Sequence, residues 1–225
     1  DKIQWGKMMA SSSAAGGLKM TVHGLVYDMT VKAAKEAALG AGAIIRMVTA
    51  GKITLTDLKK ISEIKPNIIL IAGGVDYGEK DTAIYNAKKI TELKMDIPVI
   101  YAGNVAARDE IEEIFKGKNQ IFFVDNVYPH IDELVVEPAR KVIQQVFEEH
   151  IIKAPGMEKI RTFVDGPIMP TPGAVMNAAK ALKEEIGDLL VVDVGGATTD
   201  VHSVAENSEE IAKILIAPEP EAKRT

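Results

Sequence analysis

The fold is decided by residues 67–74, which have the sequence Asn-Ile-Ile-Leu-Ile-Ala-Gly-Gly and follow Pro66. An unbroken apolar run of this length predicts a strand with both faces buried, because a strand with one face in water alternates apolar and polar residues. Pro66 ends the preceding helix, and Gly73 and Gly74 end the strand. Strands of this kind are typical of parallel sheets that helices cover on both sides.

Similar apolar runs recur along the chain. Residues 97–102, 120–124 and 189–194 predict strands of the same kind, and residues 20–27 and 44–48 are weaker strand candidates. Amphipathic helices are predicted between them, beginning near Thr30, Thr56, Asp81, Asn104, Val136 and Thr171. Strands that alternate with helices through short connections predict an α/β fold with a mostly parallel sheet covered by helices.

The alternation is interrupted between residues 153 and 173, where four prolines and three glycines occur. We therefore predict a first α/β domain over residues 1–152, a boundary segment over 153–173, and the start of a second domain over 174–225. The second region contains one clear buried strand, which is too little for an independent sheet. We expect the second domain to be incomplete in this chain.

Composition excludes several classes of function. The formal net charge is −5, which disfavours a nucleic-acid-binding surface built on an excess of Lys and Arg. The chain has no cysteine, so its residues supply neither a catalytic thiolate nor a zinc–thiolate site. No apolar run approaches the roughly 20 residues that a membrane span needs. We expect a cytoplasmic protein whose partners are neither nucleic acids nor membranes.

The segment that points most clearly to chemistry is residues 189–204, Leu-Leu-Val-Val-Asp-Val-Gly-Gly-Ala-Thr-Thr-Asp-Val-His-Ser-Val. A buried strand carries Asp193 near its end, and Gly195 and Gly196 allow a tight turn. Residues 200–204 then return as an antiparallel strand. Backbone N–H groups of such a turn, with nearby threonine hydroxyls, can bind an anion, and Asp193 would face a metal ion or a water molecule. A plain hairpin with a glycine turn is the alternative interpretation.

At this point the chain resembles a known superfamily. The sequence Asp193-Val-Gly-Gly-Ala-Thr-Thr-Asp is similar to the second phosphate motif of the actin, Hsp70 and sugar-kinase ATPases, although Ala197 stands where that superfamily usually has a third glycine. The resemblance implies a ribonuclease-H-like, actin-like ATPase fold that binds ATP and Mg²⁺ between two domains. It assigns Asp193 a catalytic and metal-binding role, and it assigns the phosphates to Gly195, Gly196, Ala197, Thr198, Thr199 and Asp200.

The longer sequence through Val204 resembles the MutL/GlmL family, which accompanies adenosylcobalamin-dependent glutamate mutase and is distinct from the mismatch-repair proteins called MutL. Further segments carry the same resemblance: residues 12–18, 36–43, 72–78, 101–104, 125–129 and 170–172. It implies a chaperone-like accessory ATPase that reactivates a mutase, which would be its protein partner. The Asp-x-His-x-x-Gly sequence of cobalt-ligating cobalamin domains does not occur, so we expect no direct cobalamin ligand.

Members of this family also contain a first phosphate motif of the Asp-Ile-Gly-Ser-Thr type, and nothing like it precedes Ser11. We therefore expect these residues to be the middle part of a longer protein. On that expectation, the intact protein is the ATPase, and this part alone binds ATP weakly or not at all. Two other functions stay open: a small-molecule kinase of the same superfamily, and a scaffold that binds nucleotide without turnover.

Two further features are candidates for a role in the site. Gly73 and Gly74 follow a buried strand, where a loop either lines a ligand crevice or forms a close-packed turn, and the sequence favours neither. The four histidines are scattered, which makes a metal site built from them improbable. His202 is adjacent in sequence to the phosphate hairpin, and we expect strand alternation to turn its side chain away from it.

Overall fold

The computed structural model describes residues 6–12, 18–41, 43–152, 157–196 and 199–205. The strands are β1 (Ser11–Ser12), β2 (Leu18–Gly24), β3 (Ala43–Ala50), β4 (Ile68–Ile71), β5 (Val99–Tyr101), β6 (Ile121–Phe123), β7 (Met169–Pro170), β8 (Leu189–Val194) and β9 (Thr199–Val204). The helices are α1 (Lys32–Gly40), α2 (Leu55–Ile64), α3 (Asp81–Glu92), α4 (Arg108–Phe115), α5 (Glu137–Ile152), α6 (Met157–Arg161) and α7 (Thr171–Ile186). Among the described helices, none combines the length and the apolar composition that crossing a membrane requires.

The central sheet has five parallel strands in the order β3-β2-β4-β5-β6. Counted from β2, this order is second, first, third, fourth, fifth, which is that of a doubly wound sheet. The chain moves outward from β2 to β3, crosses back to β4, and then continues to β6. The direction of winding therefore reverses between β2 and β4. The predicted α/β fold with a mostly parallel sheet is confirmed.

The core consists of two apolar layers, one on each face of the sheet, and strand alternation assigns residues to them. Even-numbered residues of β2, β4 and β5 pack under α1 and α5, including Met20, Leu70 and Ile100. Odd-numbered residues of β4 and β5, such as Ile71 and Val99, pack under α2, α3 and α4. The unbroken apolar runs of the sequence are thus needed because both faces of each inner strand are covered.

The helix ends differ in detail from the predictions. Helix α2 begins one residue before the predicted Thr56, because Thr54 caps it: the Thr54 hydroxyl accepts from the Asp57 N–H, and the Asp57 carboxylate accepts from the Thr54 N–H. Thr30, predicted as the first cap, lies inside a π-helical turn over Tyr27–Val31 that precedes α1. The predicted helix from Thr171 to Gly187 is confirmed.

The predicted boundary segment contains secondary structure where it is described. Residues 153–156 lie outside the described residues, and α6 and β7 follow them. Strand β7 pairs in parallel with β1, with Ser11 opposite Met169. Helix α7 starts directly after β7, so no irregular linker separates these two elements. The division into two domains stays a prediction.

A buried histidine lies in the central strand β2. The side chain of His23 is fully buried, and its ring nitrogens lie 2.7 Å from the Thr49 hydroxyl and 3.0 Å from the Thr21 hydroxyl. Burial lowers the pKa of His23 from 6.5 to about 4, although the nearby Asp57 carboxylate acts in the opposite direction. His23 is therefore neutral in the folded protein at neutral pH.

This burial predicts a pH-dependent stability. Below pH 6.5, His23 is protonated in the unfolded chain but not in the folded protein. The free energy of unfolding therefore decreases as the pH is lowered, until the pH reaches the folded pKa near 4. The slope from this residue is about 1.4 kcal/mol per pH unit, with a total of roughly 3 kcal/mol. Denaturant unfolding between pH 4 and 7 would measure it.

The control separates His23 from the other titrating groups. His23→Gln should remove this part of the slope, and the same substitution at the exposed His130 is the matched control. An identical pH dependence in wild type and His23→Gln would contradict the assignment.

Candidate functional site

Strands β8 and β9 form an antiparallel hairpin, as predicted. The prediction that β8 is buried on both faces is wrong: Leu190, Val192 and Val194 are exposed, because the hairpin has only two strands and α7 packs against one face of it. The register of the hairpin places Leu189 opposite Val204 and Val194 opposite Thr199, so the glycine turn lies at the tip beyond the last pair. One face of the hairpin packs against α7 and is half-buried. The helix fixes the direction of the hairpin, since a hairpin alone is marginally stable in water.

The two acidic residues of the motif face each other across this hairpin. Asp193 of β8 and Asp200 of β9 are direct cross-strand partners, one pair away from the turn, and both are half-buried. Side chains at directly opposed positions lie on the same face, and like charges there destabilise the pairing. A bound cation would offset this repulsion. Among the described residues, no group of three or more His, Cys, Asp or Glu residues is arranged to hold a metal ion.

In the described part of the turn, the space beside Gly196 is open. A Cβ atom built on Gly196 would meet no other atom within 4 Å. No described residue therefore requires a glycine there for lack of space, and a ligand could approach the backbone closely. Gly195 precedes it, and Thr199 is exposed at the start of β9. The predicted phosphate contacts Ala197 and Thr198 lie outside the described residues.

The prediction that His202 turns away from the hairpin site is wrong. Residues 200 and 202 are two apart on one strand, so alternation places them on the same face. His202 lies opposite Val191, is 8% exposed, and its Nε2 has no hydrogen-bond partner among the described residues. The face that carries the acidic pair thus also carries a buried imidazole.

The second candidate, the loop after β4, is packed by backbone atoms. A Cβ on Gly74 would lie 2.5 Å from the Glu79 carbonyl oxygen, and one on Gly73 would lie 3.1 Å from the Asn104 nitrogen. A Cβ on Gly103 would lie 2.3 Å from the Gly73 nitrogen. Gly73 and Gly103 are required because the loops after β4 and β5 approach closely, and Gly74 is required because its own loop folds back at Glu79. This packing favours the close-packed turn over a ligand crevice at Gly73 and Gly74.

Two buried asparagines hold the loops at this edge of the sheet together. The Asn104 Oδ1 accepts from the Tyr77 and Ala106 N–H groups, and its Nδ2 donates to the Gly78 carbonyl. The Asn126 Nδ2 donates to the Gly74 carbonyl and to the Asp76 carboxylate. Their side chains join the loops after β4, β5 and β6 into one rigid unit.

Tyr101 and Asp76 complete this unit. The Tyr101 hydroxyl donates to the Asn104 carbonyl at 2.8 Å, and burial raises the pKa of Tyr101 above its usual range. The Asp76 Oδ1 accepts from the Val105 N–H at 2.9 Å. This network was not predicted from the sequence. Its signal was that Asn104 and Asn126 each lie three residues after the end of an apolar strand.

The concave surfaces do not coincide with either candidate site. A cavity of about 270 Å³ is lined by Asn67, Pro98 and Gln120. These residues come immediately before β4, β5 and β6, at the opposite edge of the sheet. A larger depression of about 450 Å³ lies around the end of α4, next to Phe115 and Lys116. Neither of these two surfaces contains a predicted site residue. The hairpin is therefore the candidate site.

Comparison with known proteins gives a family. The family model described as MutL protein matches residues 1–225. Protein MutL of Clostridium tetanomorphum is 45% identical over 234 residues, which cover 100% of this chain and 50% of that protein. The chain thus spans about half the length of this curated relative.

Solved structures add little. The sugar isomerase domain of the RpiR transcription factor from Sphaerobacter thermophilus is 11% identical, with a TM-score of 0.36, and covers 64% of this chain and 76% of that one. A similarity at this level supports no argument about fold or function. The ribonuclease-H-like arrangement stays a prediction: the central sheet is doubly wound, and antiparallel pairing among the described strands is confined to β8 and β9.

The two glycine turns should respond differently to an added methyl group. Gly74→Ala should lower the free energy of unfolding by about 1–3 kcal/mol, because the new Cβ overlaps a fixed carbonyl oxygen. Gly196→Ala should leave stability nearly unchanged, because the space beside it is open. Denaturant unfolding of the two variants measures the contrast, and equal stabilities would contradict the packing described for the loop after β4.

Proposed function

The chain belongs to the MutL protein family, and we propose that the intact protein is a chaperone-like accessory ATPase of an adenosylcobalamin-dependent mutase such as glutamate mutase. The observation that carries the proposal is the β8–β9 hairpin, in which Asp193 and Asp200 face each other next to an open glycine turn. The family resemblance supplies the mutase as the partner. We place the protein in the cytoplasm, where the enzyme it serves would be.

The turn fits the phosphates of a nucleotide. Backbone N–H groups of a tight turn converge on an anion, and the open space at Gly196 permits close approach. Thr199 adds an exposed hydroxyl that can donate a hydrogen bond. In the proposal, Gly195, Gly196, Ala197, Thr198 and Thr199 contact phosphate oxygens. Gly73 and Gly74 are not needed for this site.

The acidic pair fits Mg²⁺. This ion is commonly bound by one or two carboxylates, with phosphate oxygens and water completing its shell. Asp193 and Asp200 supply that number of protein ligands from one face of the hairpin. Bound Mg²⁺ would neutralise charge on the phosphates during hydrolysis. Asp193 is the residue that we assign to the metal or to the attacking water.

The proposed cycle uses nucleotide binding to do mechanical work on the mutase. Radical enzymes lose their cofactor to side reactions, and a damaged cofactor that stays bound blocks the site. A two-domain ATPase of the actin-like type, closing on ATP and opening after hydrolysis, would hold the mutase differently in its two states. That difference in affinity is the free energy available for releasing the damaged cofactor.

The first test is nucleotide hydrolysis by the full-length protein with and without glutamate mutase. We expect hydrolysis that the mutase stimulates, and we expect Asp193→Asn to lower it by a factor of about 100 or more, because the substitution removes a charge that the metal and the transition state need. Glu185→Gln, on the exposed side of α7, is the matched control and should retain full activity.

The possible results separate the alternatives. Stimulation by a small metabolite instead of the mutase would support a kinase. ATP binding by calorimetry without turnover in either protein would support a scaffold and would remove the role assigned to Asp193. Tight ATP binding by residues 1–225 alone would contradict the expectation that the site is shared with the rest of the intact protein.

A further inference from the structure

Four exposed apolar side chains lie at one edge of the central sheet. Val26 and Tyr27 follow β2, Tyr77 follows β4, and Ile131 follows β6; they are 44%, 53%, 84% and 72% exposed. Because the strands are parallel, the loops after them emerge at the same, carboxyl edge. We call residues 25–31, 72–80 and 124–133 the carboxyl-edge loops. Large exposed apolar side chains that gather on adjacent loops are typical of interaction sites.

Hydrogen bonds place these loops next to one another. The Asp76 N–H donates to the Pro129 carbonyl at 2.9 Å, which brings the residue before Tyr77 into contact with the loop that carries Ile131. The Ala72 N–H donates to the His23 carbonyl at 2.8 Å, so the loop after β4 starts beside the loop after β2. The loops that carry the exposed side chains are therefore neighbours at this edge of the sheet.

The surface is held in a conformation that costs free energy. Tyr77 has a φ angle of 62°, in the left-handed region that residues other than glycine, asparagine and aspartate rarely adopt. Asp132 has a φ angle of 61°, which an aspartate adopts at lower cost. The Tyr77 N–H donates to the buried Asn104, and the Asp132 N–H donates to the Tyr128 hydroxyl at 2.9 Å. The Tyr77 ring itself is exposed, so the contacts described within the protein do not explain why a tyrosine is held there.

The surface is acidic around its apolar centre. The carboxyl-edge loops contain six Asp and Glu residues and one lysine. That lysine, Lys80, is paired with Glu110 at 2.8 Å. Arg108 lies 3.8 Å from Asp125, and Lys35 lies over the Tyr27 ring, so part of the negative charge is balanced from neighbouring elements. Asp28 and Asp132 are exposed, whereas the Glu79 carboxylate accepts hydrogen bonds from the Thr82 N–H and hydroxyl groups at 2.8 Å.

We propose that the carboxyl-edge loops form the docking surface for a partner protein that presents basic side chains around an apolar contact. Tyrosines on preorganised loops are frequent anchors of interfaces, because little conformational entropy is lost when they bind. The negative charge repels nucleic acids and anionic membranes, and it repels an identical surface on a second copy of this chain. The proposal rests on the proposed function in one respect: it takes the mutase as that partner.

The test measures the affinity of the full-length protein for glutamate mutase by calorimetry. Tyr77→Asn removes the aromatic anchor and suits the left-handed backbone, so it should not destabilise the fold. We expect binding to weaken by about tenfold or more, as for other interface anchors. Phe163→Asn, at an aromatic residue that is 68% exposed in the turn after α6, is the matched control and should bind as wild type does.

Three further readouts make the result specific. Hydrolysis of ATP in the absence of the mutase should be unchanged in Tyr77→Asn, while stimulation by the mutase should be lost at concentrations where binding is lost. Asp132→Asn should slow association and reduce its dependence on salt, because it removes one charge from the rim. Hydroxyl-radical footprinting should find Tyr77 and Ile131 reactive in the free protein and protected in the complex.

Each contrary outcome overturns the inference in a distinguishable way. Equal mutase binding by wild type and Tyr77→Asn would place the interface elsewhere and leave the proposed function intact. Protection of Tyr77 in the free full-length protein would show that the protein's own chain covers the surface. Absence of mutase binding by the wild type would overturn both this inference and the partner named in the proposed function.

Discussion

The structure depends on one constraint: every inner strand of the central sheet must bury both of its faces. Side chains of alternate parity enter two separate apolar layers, with α1 and α5 on one face and α2, α3 and α4 on the other. This requirement produces the doubly wound order, because consecutive crossover helices have to cover both faces. It also leaves polar chemistry to the ends of strands, where the loops after β4, β5 and β6 meet.

The fully buried His23 shows how strict this constraint is. Its imidazole is held neutral between two threonine hydroxyls inside the second layer, where a charged group would be costly. Similar reasoning applies to Asn104 and Asn126, whose amides are buried and satisfied by backbone groups of adjacent loops. Polar groups are tolerated in this protein's interior where geometry supplies their partners.

The glycine turns show how far the sequence could predict the site. Residues 72–74 and 194–196 look alike in sequence, since each places two glycines after an apolar strand. In the first turn the glycines are needed because backbone atoms of the loop after β5 and of Glu79 in the same loop occupy the space, whereas the space beside Gly196 is open. Which of the two applies depends on neighbours distant in the chain, and local pattern contains no information about them.

Strand positions and the hairpin were predictable because they follow from periodicity, which is a local property. The strand order, the Asn104 and Asn126 network and the exposure of Tyr77 were not, because each depends on how loops from different strands meet. The error on His202 has another origin. Strand alternation separates neighbouring residues but keeps residues two apart on one face. The register confirms that Asp200 and His202 share a face.

The hairpin and the carboxyl-edge loops are physically different kinds of site, which bears on how they would work together. The hairpin combines an open turn with two opposed carboxylates, an arrangement that would gain stability if the proposed cation and phosphate bind together. The carboxyl-edge loops are already hydrogen-bonded internally and present apolar side chains at the expense of backbone strain at Tyr77. In the proposal, that surface binds without rearranging, whereas the hairpin is the element whose free energy changes with its ligand. In a cycle driven by nucleotide, we therefore place the switch at the hairpin and the constant grip on the partner at the carboxyl-edge loops.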